Sequence, residues 1–186
     1  LHLGLRRPRW DPRAGMAQKQ FAASFPMLMS PVTVWLSTRT LSSLKTEADR
    51  QFPLETGGAL IGYWSDADTV VVTEFVGPGP DSVHRRYSYQ HDHEWEAAQI
   101  AVLYHRSGRS HVYIGDWHSH PEASSGDLSG TDRRSIRRVI KSREARARRP
   151  LMIVLFGNHE RWTPSVWVAT LEPRWGWQQL LIGAVK

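Results

Sequence analysis

The chain has 186 residues, 40% of them apolar, which suits one domain with a sizeable core plus a short extension. It contains no cysteine, so disulfides and thiolate metal sites are excluded and any transition-metal site must use histidine and carboxylate. A formal net charge of +6 favours an acidic protein partner or nucleic acid; no apolar run is long enough to span a bilayer and no secretory leader core is seen, so the expected location is the cytoplasm.

In chain order, residues 1–30 read as an N-terminal extension, arginine- and proline-bearing and expected to be largely mobile, ahead of a domain over 31–186. Pro31 to Leu36 alternates as a strand. Ser37 or Thr38 then caps a helix running to Gln51, with Leu41, Leu44 and Ala48 on one face. Glu55 to Trp64 reads as a strand opened by a glutamate and thinned by glycines, which permit close backbone approach. Thr69 to Val76 gives another strand, followed by the stiff loop Gly77 to Ser82. Asp92 caps a helix over Glu94 to Tyr104. His91 and His93 straddle that helix start with diverging side chains and read as surface or substrate-rim residues, as do His84, His105, His111 and His159.

His111 to Trp117 is a strand that runs into His118-Ser119-His120-Pro121. Histidines two apart on an extended segment share one face, roughly 6.5 to 7 Å apart along the backbone, close enough to share a metal ion. Ser129 to Asp132 opens a helix predicted to reach Arg149, which puts Asp132 in the first turn, where it can complete the ligand set. Ser129 and Asp132 also match a capping box with Asp in place of Glu, worth about 1 kcal/mol without any metal, and the two roles compete for Asp132. Asp116 lies on the same face as His118, either as a supporting group behind the ligands or as a solvated carboxylate. The apolar stripe of this helix, Ile136, Val139 and Ile140, is narrow, so most of its arginines point outward. They form a solvated face or a docking surface for an acidic protein; nucleic acid is the weaker reading, since no aromatics interleave. Leu151 to Phe156 is a strand buried on both faces, Trp162 to Leu171 another, and Trp175 to Ile182 a strand or short helix. Strands and helices alternate around a single mixed β-sheet flanked by helices, an α/β or α+β class.

Glu55-Thr56-Gly57-Gly58, His118-Ser119-His120-Pro121 and Ser129-Gly130-Thr131-Asp132, in that order, resemble the MPN/JAMM metalloprotease family, in particular its prokaryotic JAB-domain branch. The likeness covers roughly Pro31 to Gly183. Seven residues separate Pro121 from Ser129, one more than in the family pattern, which leaves Asp127 as a rival to Asp132; the spacing from Ser129 favours Asp132. The resemblance implies a cytidine-deaminase-like fold. It implies one Zn²⁺ on His118, His120 and Asp132 with a fourth position open, Glu55 as general base and Ser129 as donor to an oxyanion. It further implies a deubiquitinase-like isopeptidase that cleaves after the C-terminal glycine of a ubiquitin-like modifier, in deconjugation or precursor processing within a bacterial conjugation or antiphage system. Its partners would be the ubiquitin-like protein and its conjugates. The alternatives are trimming of a ubiquitin-like sulfur carrier, and a noncatalytic MPN scaffold or nucleic-acid-associated module using the basic helix.

Overall fold

A computed structural model describes residues 21–22, 32–174 and 177–185. Apart from Phe21–Ala22, the expected extension over 1–30 lies outside the described residues. The elements are β1 (Phe21–Ala22), β2 (Thr33–Leu36), α1 (Thr38–Gln51), β3 (Gly57–Trp64), β4 (Thr69–Phe75), β5 (Val83–Arg85), β6 (Ser88–Gln90), α2 (His93–Arg106), β7 (Val112–Pro121), α3 (Gly130–Lys141), β8 (Leu151–Asn158), β9 (Arg161–Arg174) and β10 (Trp177–Val185). Eight strands form one sheet in the order β1-β2-β4-β3-β7-β8-β9-β10, and β5 and β6 form a separate hairpin. Pairing is parallel between β2 and β4 and between β7 and β8, and antiparallel elsewhere, so the sheet is mixed as expected.

The sheet carries helices on both faces because its central strands are apolar on both. Leu151, Ile153 and Leu155 of β8 join the cluster that also holds Leu44 and Ala48 of α1 and Trp117 of β7. Met152 and Val154, pointing the other way, meet Ile136 and Ile140 of α3. Beside α3, α2 places Ile100 and Leu103 over Ala59, Ile61 and Val76. No helix among the described residues is long and apolar enough to cross a membrane.

Two departures from the sequence reading have simple causes. Helix α3 ends at Lys141 instead of Arg149, with Ser142 as an extended C-cap. Ile140 is the last apolar residue able to reach the sheet, and beyond it the chain offers only serine, charge and small alanines, so a longer helix would bury nothing. The hairpin β5–β6 was not anticipated, because its Arg86-Tyr87 connection lacks the Asn-Gly or Gly-Gly signal that marks tight turns. The terminal segment, left between strand and helix, is strand β10.

The central strand β7 carries a bulge where Leu60 opposes Gly115 and Ile61 opposes Tyr113. Gly115 there has φ of 150°, and a Cβ on it would lie 2.1 Å from the Leu151 carbonyl oxygen. The extra residue flips the pleat, so Tyr113 and Asp116, three apart, share the face that meets α2, while Ile114 and Trp117 share the α1 face. Trp117 is fully buried and its indole Nε1–H donates to the Val76 carbonyl at 3.0 Å. The segment after it is thereby held to the sheet.

Candidate metal centre

His118 and His120 leave β7 on one face, and Asp132 enters from the first turn of α3. His118 Nε2 and His120 Nε2 lie 2.9 Å apart. Asp132 Oδ1 is 3.5 Å from His118 Nε2, and Oδ2 is 3.6 Å from His120 Nε2. A tetrahedral ion with bonds of about 2.0–2.1 Å separates its ligand atoms by roughly 3.3 Å, so this spacing of donors suits a small divalent cation. The donor set fits chemically too. Burial, then the charge of His118, pulls the His120 imidazole down to about 4, leaving it neutral with a lone pair to offer. Burial alone would raise the Asp132 carboxyl, but hydrogen bonds and charge from His118 and Ser129 hold it below the usual carboxylate range, as an anion. No other group of His, Asp and Glu among the described residues converges in this way.

Asp132 caps the helix as well. Its Oδ2 accepts from the Ser129 N–H at 2.7 Å, while Ser129 Oγ accepts from the Asp132 N–H at 3.2 Å. The cap leaves room for a ligand role, since two carboxylate oxygens carry enough lone pairs for both. The rival Asp127 stays outside, exposed and accepting from Ser125 Oγ at 2.9 Å. Ser129 Oγ, having only accepted, keeps its own hydrogen to donate.

Glu55 is tied to the same place by its neighbour. Between the two histidines, the Ser119 N–H donates to the Thr56 carbonyl at 2.8 Å, and Ser119 Oγ accepts from the Thr56 N–H at 3.0 Å. Gly57 then lies opposite His118, where a Cβ would sit 2.5 Å from the Trp117 carbonyl oxygen, so only glycine lets the two strands close here. The Glu55 carboxyl lies within reach of the cluster's charges: burial pushes it up to about 7, partly opposed by His118 and reinforced by Asp132.

A family model described as prokaryotic homologs of the JAB domain matches residues 37–170. This chain is a prokaryotic JAB-domain protein. The JAB chain is 44% identical over 144 residues to "probable metalloprotease y4qB" of Sinorhizobium fredii, covering 77% of this chain and 88% of the relative. It is 30% identical over 128 residues to the "CD-NTase/cGAS isopeptidase" of Enterobacter hormaechei subsp. hoffmannii, covering 68% of each. The protein of the same name from Vibrio cholerae is 30% identical over 131 residues, 70% of this chain and 74% of that one. Among solved structures, protein DSY2949 from Desulfitobacterium hafniense aligns with a TM-score of 0.51 at 15% identity over 72% of this chain and 82% of that one, a likeness of fold.

Elsewhere the JAB domain gives partners to histidines that the sequence reading assigned to the surface or the substrate rim. His84 Nδ1 lies 2.9 Å from the Glu55 carbonyl oxygen, and the Glu55 N–H donates to the Arg85 carbonyl at 2.8 Å, so the hairpin grips the glutamate's backbone on both sides. His111 packs on Tyr63 and bonds to Thr73. His91 places Nδ1 2.6 Å from Oε1 of the buried Glu96. Burial pulls the His91 imidazolium down, but the Glu96 bond and the charges of Glu96 and Asp116 outweigh it, and its pKa rises. His93 alone of this pair stays exposed. The missed signal was Glu96, five residues past His91, within reach once the chain turns into α2.

Asp116, two residues before His118, accepts from the Tyr113 hydroxyl at 2.7 Å, and burial raises its pKa. Tyr113→Phe removes that donor from a carboxyl with little water to replace it. The expected cost is about 1–3 kcal/mol of stability, read as a lower urea midpoint with an unchanged slope.

Proposed function

We propose that this protein is a zinc-dependent metallopeptidase of the isopeptidase type, cleaving after the C-terminal glycine of a ubiquitin-like modifier, with the domain beginning near residue 31. The observation that carries the reading is the convergence of His118, His120 and Asp132 beside a carboxyl group, Glu55, whose pKa stands at about 7. Three protein donors leave a tetrahedral ion one position for water or substrate, the mark of a catalytic site rather than a structural one. Zinc bound there supplies Lewis acidity, polarising the scissile carbonyl and acidifying water.

The rest belongs to the chain. Glu55 takes the proton of the attacking water and delivers it to the leaving amine, work suited to a carboxylate poised near neutrality. The Ser129 hydroxyl donates to the oxygen that becomes negative in the tetrahedral intermediate. Asp132, fixed by its bond from the Ser129 N–H, holds its carboxylate toward both imidazoles. A complete donor set speaks against a noncatalytic scaffold. Relatives named as isopeptidases support a protein conjugate as substrate.

Incubation with linear fusions and lysine-linked conjugates of candidate ubiquitin-like proteins tests this. Release of a modifier ending in glycine is expected to stop with a chelator and return with added zinc. Cleavage that a chelator leaves untouched, or no cleavage of any such fusion, would overturn it.

A further inference from the structure

Helix α3 carries Asp132 at one end and a dense run of arginine toward the other. Arg137, Arg138, Lys141 and Arg143 are exposed, and none forms an ion pair among the described residues. The run continues past the helix into a half-open cavity of about 330 Å³ at the far end of the sheet. Its walls include Trp64, Val112, Tyr113 and Ile114, with Arg146, Arg148 and Arg149 along the rim. Val112 opens β7 six residues before His118, so the cavity stands roughly 20 Å from the candidate metal centre.

Two of the three guanidinium groups on this rim are not spent on the fold. Arg146 and Arg148 are exposed and have no acidic partner among the described residues. Arg149 stacks 4.7 Å over the Trp64 ring and lies 3.6 Å from Asp68, while its Nε is buried with no hydrogen-bond partner. Asp66, the one acid on the rim, is committed to the Asp68 N–H at 2.8 Å. Val112 leaves 44% of its surface open on the wall, an aliphatic patch under a fence of guanidinium groups.

We propose that this cavity and the outer face of α3 form one docking surface for an acidic polypeptide segment that inserts a single apolar side chain beside Val112. An extended row of cations matches a polyanion rather than a single small anion. A polypeptide fits better than nucleic acid, because Arg149 covers a Trp64 face and the one other aromatic wall, Tyr113, has its hydroxyl bound to Asp116, which leaves little for bases to stack on. Given the isopeptidase reading, on which the occupant's identity rests, the segment belongs to the target half of the conjugate. α3, 12 residues and roughly 18 Å long, then spans from the docked target to the scissile bond.

Fluorescence anisotropy with synthetic probes tests the surface without any cleavage, so its failure and a failure of the peptidase reading remain separate. The probe is a labelled octapeptide of Asp and Glu with one central Phe, at low salt. The expected result is saturable binding that weakens about tenfold in the Arg146→Glu, Arg148→Glu double variant. Val112→Asp and a probe with Phe replaced by Ser each weaken it about fivefold. Far-UV circular dichroism and metal content should match the parent protein in both variants. Equal binding by the variants, no saturation, or tighter binding of a single-stranded oligonucleotide of the same charge would each overturn the proposal.

Discussion

Glu55→Gln is expected to lower peptidase turnover by about 10²–10⁴-fold, the usual share of a general base, while zinc content measured by elemental analysis stays at the parental level. Glutamine keeps the size and most of the hydrogen bonding but cannot carry a proton from water to amine. The same change should stabilise the metal-free protein, and the sign can be worked out. Burial raises the Glu55 carboxyl from its ordinary 4.5 to about 7, so the folded state disfavours the anion relative to the unfolded chain. That penalty is absent below pH 4.5, grows between pH 4.5 and 7, and is complete above. Glu55→Gln removes it, worth about 1–2 kcal/mol once partial solvent access is allowed for. The variant should therefore melt above the parent at pH 8 and together with it at pH 4. In the zinc-loaded protein the cation favours the carboxylate, which moves the acid limb of the rate profile below pH 7. A variant with parental turnover would remove Glu55 from its proposed role, and one that melts lower at pH 8 would show that burial does not disfavour its anion in the metal-free protein.

Much of this arrangement could be read from the chain, because short-range rules govern the segments concerned. The alternation through His118 and His120 fixes which face they share, and Ser129 with Asp132 marks a helix start, so two elements follow from spacing, whereas the choice of Asp132 over Asp127 rested on the family resemblance. What escaped depends on contacts between distant segments. The strap between Ser119 and Thr56 joins residues 63 apart, and it is what sets Glu55 beside the cluster. The hairpin that grips the Glu55 backbone has an atypical turn and gave no local sign. The bulge at Gly115 places Tyr113 and Asp116 on one face against the period-two rule, which hid their bond and with it the buried environment of His91. The overlong helix came from reading charge and alanine as helix formers where no sheet lay beneath to receive an apolar face.

Asp132 stands where local and distant demands meet, and its two roles separate by substitution. Asparagine at this position keeps an oxygen that accepts from the Ser129 N–H, so the cap survives and the stability of the metal-free protein should change by less than about 0.5 kcal/mol. The negative charge is lost, and with it the anion that balances a divalent cation. Zinc affinity is expected to fall about 100-fold or more, and turnover with it. Asp132→Ala removes the cap as well, for a further loss of about 1 kcal/mol visible even without metal. Metal titration followed by competition with a chromophoric chelator reads the first effect, and urea unfolding of the metal-free variants reads the second. If asparagine binds zinc like the parent, Asp132 only caps α3 and the third donor must be sought elsewhere. If alanine and asparagine unfold alike, the bond between Oδ2 and the Ser129 N–H contributes nothing to the stability of α3.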